Sequence, residues 1–304
     1  MNLQRKVIHF FSLKFVFSNI QLLKNPINVH QIDLEKIIEN KNPVLLRFLP
    51  RFVMNYIKKI IHQDELNSFL IETKDDYAYD FIQAAIRIFQ LKIETVGLEN
   101  IPEDGGCIVV CNHPLGGLDG IAVMHEVGRR RKDIKAIVND LLMNLKNLSS
   151  LLIPVNKHGK NLVENIKRID AEYSSDECII VFPAGLVSRK QKGKVKDLVW
   201  QKSVVTKAIK YKQSIIPIYV EASNSKFFYS LASFRKKMGI KTNIEMFYLV
   251  DEVYKQKGQN IKLIVGKPIS HDVFTKEFSH NEWTEKLKEH VYELSIEYNK
   301  EFNK

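Results

Sequence analysis

His113 and Asp119 are the two residues of this chain whose types and spacing are best suited to chemistry. They lie in the turn CNHPLGGLDG (111–120), between the apolar runs CIVV and IAVMHEV. A carboxylate that accepts a hydrogen bond from one imidazole nitrogen fixes the tautomer and makes the other nitrogen more basic. Such a pair can take a proton from an attacking hydroxyl or amine. Because the turn contains no Ser or Thr, we expect a two-residue His/Asp base rather than a triad.

The same turn has a simpler interpretation, in which a glycine-rich loop carries a histidine that only caps the next helix. Short patterns occur often by chance, so an isolated spacing favours this alternative. Gly116 and Gly117 relieve steric limits on the backbone, however, and allow the chain to bring Asp119 towards the imidazole. Asn112 is interpreted as orienting the loop, with an Asx-turn contact as the alternative.

A second polar turn, VFPAGLVSRK (181–190), also follows an apolar, strand-like run. Pro183 and Gly185 predict a tight turn whose backbone N–H groups can face an anion. Ser188, Arg189 and Lys190 add a hydroxyl and two cations beside it. The alternative is an ordinary loop with solvated cations. Two polar turns that each close a strand of one sheet are what an active-site cleft requires.

Strand-like and helix-like runs alternate from residue 92 to about residue 268. The strand-like runs are 92–96, 107–111, 134–138, 150–155, 178–182, 214–220, 244–250 and 261–265, and the helix-like runs are 119–128, 160–173 and 200–212. This alternation predicts an α/β fold with a mixed, partly parallel central sheet flanked by helices. Ligands of such sheets bind at the carboxyl ends of the strands, where both polar turns lie.

The first 91 residues have a helical pattern, which predicts a helical region (1–91) before a larger domain (92–304) that ends in a closing helix (280–302). The segment PVLLRFLPRFVMNYIKKIIH (43–62) is basic and amphipathic, and its second proline interrupts the helix. It can lie in a lipid headgroup layer or pack on the next domain, and packing is favoured. The apolar segment 7–23 is interrupted by polar residues, so neither a membrane span nor a secretory signal is expected. It is interpreted as a partly buried amphipathic segment or an interfacial anchor.

The chain is basic, with 46 Lys and Arg against 35 Asp and Glu and a formal charge of +11. Such an excess favours anionic partners, either nucleic acid or an acidic lipid surface. The cations are spread along the chain without a nucleic-acid-binding motif, so no nucleic-acid partner is expected. Cys107, Cys111 and Cys178 lie in apolar runs and are expected to be core residues of a protein from a reducing compartment.

Taken together, the motifs resemble the lysophospholipid acyltransferase superfamily, the 1-acylglycerol-3-phosphate acyltransferase-like enzymes. The stretches that carry the resemblance are NHPLGGLD (112–119), FPAGLVS (182–188) and IIPIYV (215–220), and the similarity covers roughly residues 92–268. It implies that His113 deprotonates the hydroxyl of a lyso-lipid, which attacks the thioester of acyl-CoA or acyl-carrier protein, while Asp119 orients the imidazole. It implies no metal or cofactor beyond this acyl donor. It also implies a peripheral protein at the cytoplasmic face of the cell membrane.

Two departures from the family pattern bear on the substrate. Asp119 follows His113 by six positions, one more than in the usual motif, which is similar to the branch of ornithine-lipid and hemolysin-labelled acyltransferases. The usual Glu of the second motif is Ala184 here. Because that Glu is implicated in binding the glycerol phosphate acceptor in the family, its absence favours another lyso-lipid, such as one with an amino-acid headgroup.

The resemblance further implies a set of substrate-binding residues around the two turns. These are Asn112, Gly116, Gly117, Phe182, Pro183, Gly185, Ser188, Arg189 and Lys157. Within this set, backbone amides near Gly185 would hold an anionic headgroup together with Arg189, and Lys157 would take the place of a family arginine. The main alternative function is a non-catalytic lipid- or acyl-binding protein on the same fold, and a basic nucleic-acid-binding protein is a less favoured third.

Overall fold

The structure is a computed structural model that describes residues 32–41, 43–139, 142–143, 145–155, 162–241 and 243–302. The apolar segment 7–23, with its two interpretations, and the predicted substrate ligand Lys157 lie outside these residues. The described chain divides into two compact units. The first contains the residues up to Asp76 together with Asn224–Lys257, and the second contains Tyr77–Ser223 and Gly258–Lys304.

A seven-stranded sheet forms the centre of the second unit. The strands of the chain are β1 (Lys92–Val96), β2 (Cys107–Cys111), β3 (Ile134–Asn139), β4 (Leu152–Val155), β5 (Cys178–Val181), β6 (Arg189–Gln191), β7 (Lys194–Lys196), β8 (Ser214–Glu221) and β9 (Asn260–Val265). The order in the sheet is β1-β9-β8-β2-β5-β3-β4, and β6 pairs with β7 in a separate hairpin. Within the large sheet β8 and β9 are antiparallel, and the other neighbouring pairs are parallel. The predicted mixed, partly parallel sheet is therefore confirmed.

Eleven α-helices lie before, between and after the strands along the described chain. They are α1 (Leu34–Lys41), α2 (Pro43–Phe48), α3 (Arg51–Ile60), α4 (Gln63–Glu72), α5 (Ala78–Ile88), α6 (Gly117–Arg130), α7 (Leu162–Tyr173), α8 (Ser203–Tyr211), α9 (Lys226–Lys237), α10 (Leu249–Lys255) and α11 (His280–Glu293). The predicted helices at 119–128, 160–173, 200–212 and 280–302 correspond to α6, α7, α8 and α11. No helix among the described residues has both the length and the apolar character needed to cross a membrane.

Strand β2 is the buried centre of the sheet and leads directly into the first polar turn. All five of its residues are buried, including Cys107 and Cys111. On one face, Ile108 and Val110 pack in a cluster with side chains of α8 and α11, among them the fully buried Trp283. A strand covered on both faces reads as a continuous apolar run, which explains the sequence CIVVC. Its end at Cys111 is thus fixed by packing.

The described residues of the first unit that precede Tyr77 are helical, as the sequence predicts. The segment 43–62 contains α2 and α3, and the break between them falls at Leu49 and Pro50. Pro50 has extended backbone angles (φ −61°, ψ 143°), and its carbonyl oxygen accepts hydrogen bonds from the N–H groups of Val53 and Met54. The proline therefore ends one helix and begins the next, because it cannot donate within α2 but can precede the first turn of α3.

One predicted strand is wrong. Residues 244–250 form a 3-10 turn (Ile244–Tyr248) that continues into α10. The apolar residues suggested an alternating strand, but Glu245 is fully buried and forms an ion pair with Nε of Arg235 at 2.9 Å. Among the described residues of the first unit there is no strand with which such a segment could pair. Its backbone bonds are therefore made locally.

The predicted domain boundary between residues 91 and 92 stays a prediction. The sheet begins at Lys92, as expected. Helix α5, however, belongs to the second compact unit, and the first unit also includes Asn224–Lys257, which lies between β8 and β9. Sequence patterns identify the elements but do not show which distant segments pack together.

Candidate active site

The structure brings His113 and Asp119 together at the carboxyl end of β2. Nδ1 of His113 lies 3.1 Å from Oδ2 of Asp119. Asp119 is fully buried, whereas 18% of the His113 side chain is exposed. A carboxylate facing Nδ1 favours the tautomer that carries its proton there, which leaves Nε2 as the nitrogen that can accept a proton.

Asp119 is held rigidly by the start of helix α6. Its Oδ2 accepts hydrogen bonds from the N–H groups of Leu115 (2.9 Å) and Gly116 (3.1 Å), and its Oδ1 accepts one from Gly120 (2.8 Å). An acidic side chain in the first turn of a helix satisfies N–H groups that have no intrahelical partner. The helix start therefore positions the carboxylate that faces His113.

Gly116 has the backbone conformation that makes this turn possible. Its φ of 90° and ψ of −116° lie in a region that side chains with a Cβ rarely adopt. Gly117 is different, because it begins the helix, is exposed, and an added Cβ there would meet no atom within 4 Å. Of the two glycines, only Gly116 is required by the backbone geometry.

A second carboxylate, Asp197, holds the main chain of His113. The N–H of His113 donates to Oδ1 and Oδ2 of Asp197 at 3.1 and 3.2 Å. The same carboxylate accepts hydrogen bonds from the Ser188 hydroxyl and from Nε1 of Trp200, the latter at 2.8 Å. The N–H of Asp197 donates to the Tyr292 hydroxyl at 2.8 Å, which ties this residue to α11. His113 is thus fixed through its ring by one aspartate and through its backbone by another.

The charges around His113 change its protonation. Burial lowers the pKa of His113, but the Asp119 carboxylate, with its hydrogen bond, and the more distant Asp197 outweigh this effect. The pKa of His113 therefore lies above its ordinary value of 6.5. Burial raises the pKa of Asp197 above its usual range, although the hydrogen bonds from Ser188, Trp200 and the His113 backbone oppose that change.

The second polar turn packs directly against the first. The N–H of Ser188 donates to the carbonyl oxygen of His113 at 2.8 Å, and the hydroxyl oxygen of Ser188 lies 3.2 Å from the same carbonyl oxygen. The ring of Phe182 lies beside the imidazole of His113, with 4.6 Å between the ring centroids. Pro183 is buried in the turn and accepts a hydrogen bond from the N–H of Gln201. The two turns thus form one cluster, with Phe182 as an apolar wall beside the imidazole.

Two of the predicted substrate ligands, Gly185 and Arg189, have structural contacts within the second turn. The N–H of Gly185 donates to the carbonyl oxygen of Phe182 at 3.0 Å, which argues against the expected contact between this amide and an anion. Arg189 is buried and donates to the carbonyl oxygens of Val187 and Ser188. These contacts fix the turn, and the predicted binding of a headgroup by Arg189 stays a prediction.

Asn112 joins the first polar turn to β8 through two hydrogen bonds. Its Nδ2 donates to the carbonyl oxygen of Val220 at 3.0 Å, and its Oδ1 accepts from the N–H of Val220 at 2.7 Å. The side chain is buried and makes a two-way pair with a strand that lies 108 residues further along the chain. This geometry agrees with the interpretation that Asn112 orients the loop. It does not agree with the Asx-turn alternative, because both polar atoms of the side chain bond to Val220.

Cys111 lies next to the site but is not suited to act as a nucleophile. It is fully buried, and burial, followed by the charges of Asp119 and Asp197, raises the pKa of its thiol well above the ordinary value. A thiol needs to ionise to become a strong nucleophile. All three cysteines are free and buried, as expected of core residues.

Sequence reasoning missed Asp197, Trp200 and Tyr292 as parts of the site. Asp197 opens the run DLVWQK, but nothing in the pattern of that run indicates a partner 84 residues earlier. Tyr292 lies in the closing helix, where apolar spacing suggests packing only. The available signal was an acidic residue three positions before a tryptophan, shortly after the second motif, and this signal is weak by itself.

Comparison with known proteins identifies the class of this protein. The model of an acyltransferase family matches residues 36–299, which is most of the chain. The chain therefore belongs to this acyltransferase family, and the protein is an enzyme of that class. The resemblance of its motifs to the lysophospholipid acyltransferase superfamily is confirmed.

Two curated relatives match over nearly their whole length. The chain is 44% identical over 268 residues to a lyso-glycine lipid O-acyltransferase of Phocaeicola vulgatus, which covers 88% of this chain and 96% of the relative. It is 43% identical over 264 residues to a lyso-glycine lipid O-acyltransferase of Bacteroides thetaiotaomicron, which covers 86% of this chain and 97% of the relative. The crystal structure of the 1-acyl-sn-glycerophosphate acyltransferase PlsC from Thermotoga maritima matches with a TM-score of 0.45 and 16% identity, over 98% of this chain and 95% of that one.

Proposed function

We propose that this protein transfers a fatty acyl chain from an acyl thioester to the hydroxyl of a lyso-lipid with an amino-acid headgroup, with lyso-glycine lipid as the acceptor. The observation that carries this proposal is the match, over nearly their whole length, to two lyso-glycine lipid O-acyltransferases. The acyl thioester is that of acyl-CoA or acyl-carrier protein. The lysophosphatidate-like acceptor is the alternative.

The proposed reaction uses Nε2 of His113 as the general base. Nε2 takes the proton of the acceptor hydroxyl while the oxygen attacks the thioester carbonyl carbon. The tetrahedral intermediate collapses, the C–S bond breaks, and the leaving thiolate receives the proton from Nε2. Asp119 holds the Nδ1 proton and stabilises the imidazolium between these two transfers. General-base assistance of this kind contributes about 10²–10⁴-fold to the rate.

The second turn supports an acceptor that carries no glycerol phosphate. Ala184 stands where the family motif has a Glu, and it is partly buried against the core cluster next to the site. A glycine joined to a lipid through its amine keeps one carboxylate as its headgroup charge. An acceptor of that kind does not need the acidic residue that accompanies glycerol phosphate recognition.

We further propose that the enzyme acts as a peripheral protein at the cytoplasmic face of the cell membrane. Phe48, Phe52 and Tyr56 follow one another at intervals of four residues and are 78%, 75% and 50% exposed. The Tyr56 hydroxyl lies 2.7 Å from that of Tyr248, whose ring contacts exposed Phe227 at 4.9 Å between centroids. Exposed aromatic side chains joined in this way suit insertion among lipid headgroups.

The charge of the same segments supports this placement. Residues 43–60 and 226–241 together contain nine Lys and Arg and neither Asp nor Glu. Two of these cations, Lys58 and Arg235, form ion pairs with Glu35 and Glu245, so the attraction to a lipid surface comes from the others. Cations beside an apolar patch attract an acidic lipid surface with about 1 kcal/mol each near the membrane. Part of the basic excess of the chain therefore has a use that does not require nucleic acid.

A mass-spectrometric assay tests the proposed function. Purified enzyme is given long-chain acyl-CoA or acyl-carrier protein in separate reactions, with lyso-glycine lipid, another monoacylated amino-acid lipid or lysophosphatidate as the acceptor. We expect lyso-glycine lipid to gain the mass of one acyl chain, and the His113→Ala variant to lose this gain. Acylation of lysophosphatidate alone would overturn the proposed acceptor. Absence of product from enzyme that still binds lipid vesicles would favour a non-catalytic lipid-binding protein.

A further inference from the structure

The hairpin β6–β7 is a cluster of cations that the proposed reaction does not use. Its sequence RKQKGKVK (189–196) contains five cations and no acidic residue. The side chains of Lys190, Lys192, Lys194 and Lys196 are exposed. In the part of the chain that the structure describes, none of these four lysines forms an ion pair with a carboxylate. The Lys196 ammonium lies 5.0 Å from the centre of the Tyr292 ring, and the charges of Lys190, Lys192 and Lys194 are available to a partner.

This basic hairpin (residues 189–196) lies between two residues, one on each side in the sequence, that form hydrogen bonds with the backbone of His113. Ser188 precedes it and donates its N–H to the His113 carbonyl oxygen, and Asp197 follows it and accepts the His113 N–H. The strands are tightly paired, and the turn between them contains Lys192 (φ 46°) and Gly193 (φ 84°). With a rise of ~3.3 Å per residue, the tip lies roughly 10–13 Å from the anchoring residues.

We propose that the basic hairpin is the docking surface for an acidic acyl-carrier protein that delivers the acyl thioester to His113. This inference rests on the proposed function, since it concerns the donor of that reaction. A carrier protein holds its thioester at the end of a long phosphopantetheine arm, so it has to dock beside the base but not on it. A rigid hairpin anchored on both sides of His113 provides such a place.

The composition of the hairpin favours an acyl-carrier protein as its binding partner over the headgroup of the acceptor lipid or a membrane surface. A headgroup with one carboxylate does not require four exposed lysines. A membrane-binding segment normally inserts large apolar side chains, and Val195, which is partly buried, is the only apolar residue of the hairpin. Exposed lysines suit the acidic face of another protein, where complementary charge speeds association.

The composition also favours a carrier protein over CoA as the source of the thioester. CoA carries its phosphates on a compact nucleotide, whose recognition normally uses a concave pocket with apolar or aromatic walls. The hairpin has no aromatic residue of its own. Its cations are distributed over both faces and the tip, because Lys190 pairs with Val195 whereas Lys194 pairs with Gln191. A weak, transient protein contact fits this arrangement.

The test compares two variants with the same change in charge. Lys192→Glu/Lys194→Glu reverses two cations of the hairpin, and Lys92→Glu/Lys276→Glu reverses two exposed cations elsewhere in the same unit. Steady-state kinetics are measured with long-chain acyl-carrier protein and with the acyl-CoA of the same chain length. For the hairpin variant we expect kcat/KM with acyl-carrier protein to fall at least about tenfold through KM, with a weaker dependence on salt. The control variant and the acyl-CoA reaction are expected to change little.

Each other outcome overturns the inference in a recognisable way. Equal losses with both donors would mean that the hairpin acts on the acceptor or on the fold. A loss of vesicle binding, with unchanged kinetics on micellar acceptor, would assign the hairpin to a lipid surface. If the wild-type enzyme uses only acyl-CoA, the docking of a carrier protein is refuted, whereas the proposed function remains valid. Wild-type enzyme without product from either donor would instead refute the proposed function itself.

Discussion

The main-chain N–H of His113 is bound by the carboxylate of Asp197, which lies 84 residues further along the chain, while its ring faces Asp119. The two aspartates have different tasks. Asp119 determines which ring nitrogen carries the proton, and Asp197 determines where the backbone that carries the ring lies. The geometry of the base thus depends on a residue that does not touch the imidazole.

Replacement of Asp197 by Asn tests this dependence. An amide has one oxygen in place of two, so its NH₂ group replaces either Oδ1, which accepts from Ser188, or Oδ2, which accepts from Trp200, and at least one hydrogen bond to a charged acceptor is lost. We expect kcat to fall by about one to two orders of magnitude and the free energy of unfolding to fall by about 1–3 kcal/mol. Kinetics and thermal unfolding measure the two effects. Ser188→Ala, which removes one donor and keeps the carboxylate, should be milder, and wild-type kinetics for Asp197→Asn would disprove the positioning role.

Replacement of Asp119 by Asn should remove the orientation of the imidazole with little change in volume. Three backbone N–H groups that now face the carboxylate would compete for one amide oxygen, and Nδ1–H would lose its charged acceptor. We expect kcat/KM to fall by about 10²–10⁴-fold. The chain offers a matched control in the first unit, where Nε2 of His62 lies 3.0 Å from Asp251. Asp251→Asn should leave kcat unchanged when the acceptor is presented in micelles.

The pH dependence of the reaction follows from the raised pKa of His113. The base works only when it is neutral, so activity is lost as the pH falls through this pKa. Because Asp119 and Asp197 together raise the pKa above 6.5 despite the effect of burial, the acid limb of kcat/KM should lie above pH 6.5. A pH profile of the wild type measures this limb, and the limb of the residual activity of Asp119→Asn should move to lower pH. A limb that stays in place would mean that another group titrates.

The two adjacent glycines of the turn should respond differently to alanine. Gly116→Ala places a Cβ at φ 90°, which should cost about 1–3 kcal/mol or displace the turn, with a corresponding loss of activity. Gly117→Ala adds a methyl group in open space at the first helical position and should be neutral or stabilising by up to about 1 kcal/mol. Thermal unfolding of both variants checks the contrast. Equal effects would show that the turn does not require the conformation of Gly116.

The sequence predicts those parts of the molecule that depend on local pattern. Apolar runs that match buried strands, such as CIVVC in β2, are recognisable because a strand covered on both faces has no polar positions. The pairing of His113 with Asp119 is also local, since both belong to one turn. Pro50 ends α2 because its ring leaves no backbone N–H that could donate within the helix.

The parts that the sequence does not predict depend on long-range contacts. The Asp197 carboxylate belongs to the site because β6 and β7 return the chain to the end of β2, and no periodicity encodes that return. Residues 244–250 resemble a strand, yet they fold as a 3-10 turn and helix because Glu245 pairs with Arg235 inside a helical unit. In each case, tertiary contacts override the local propensity.

The most direct test of the account is the rate of acyl transfer by His113→Ala relative to His62→Ala, measured with lyso-glycine lipid in micelles and saturating acyl donor. Both variants remove a histidine that contacts an aspartate, but only His113 lies at the carboxyl end of β2. We predict that His113→Ala lowers kcat by at least about 10²-fold with an unchanged thermal unfolding profile, and that His62→Ala stays within about twofold of the wild type. A folded His113→Ala enzyme that keeps the wild-type rate would contradict the assignment of His113 as the general base.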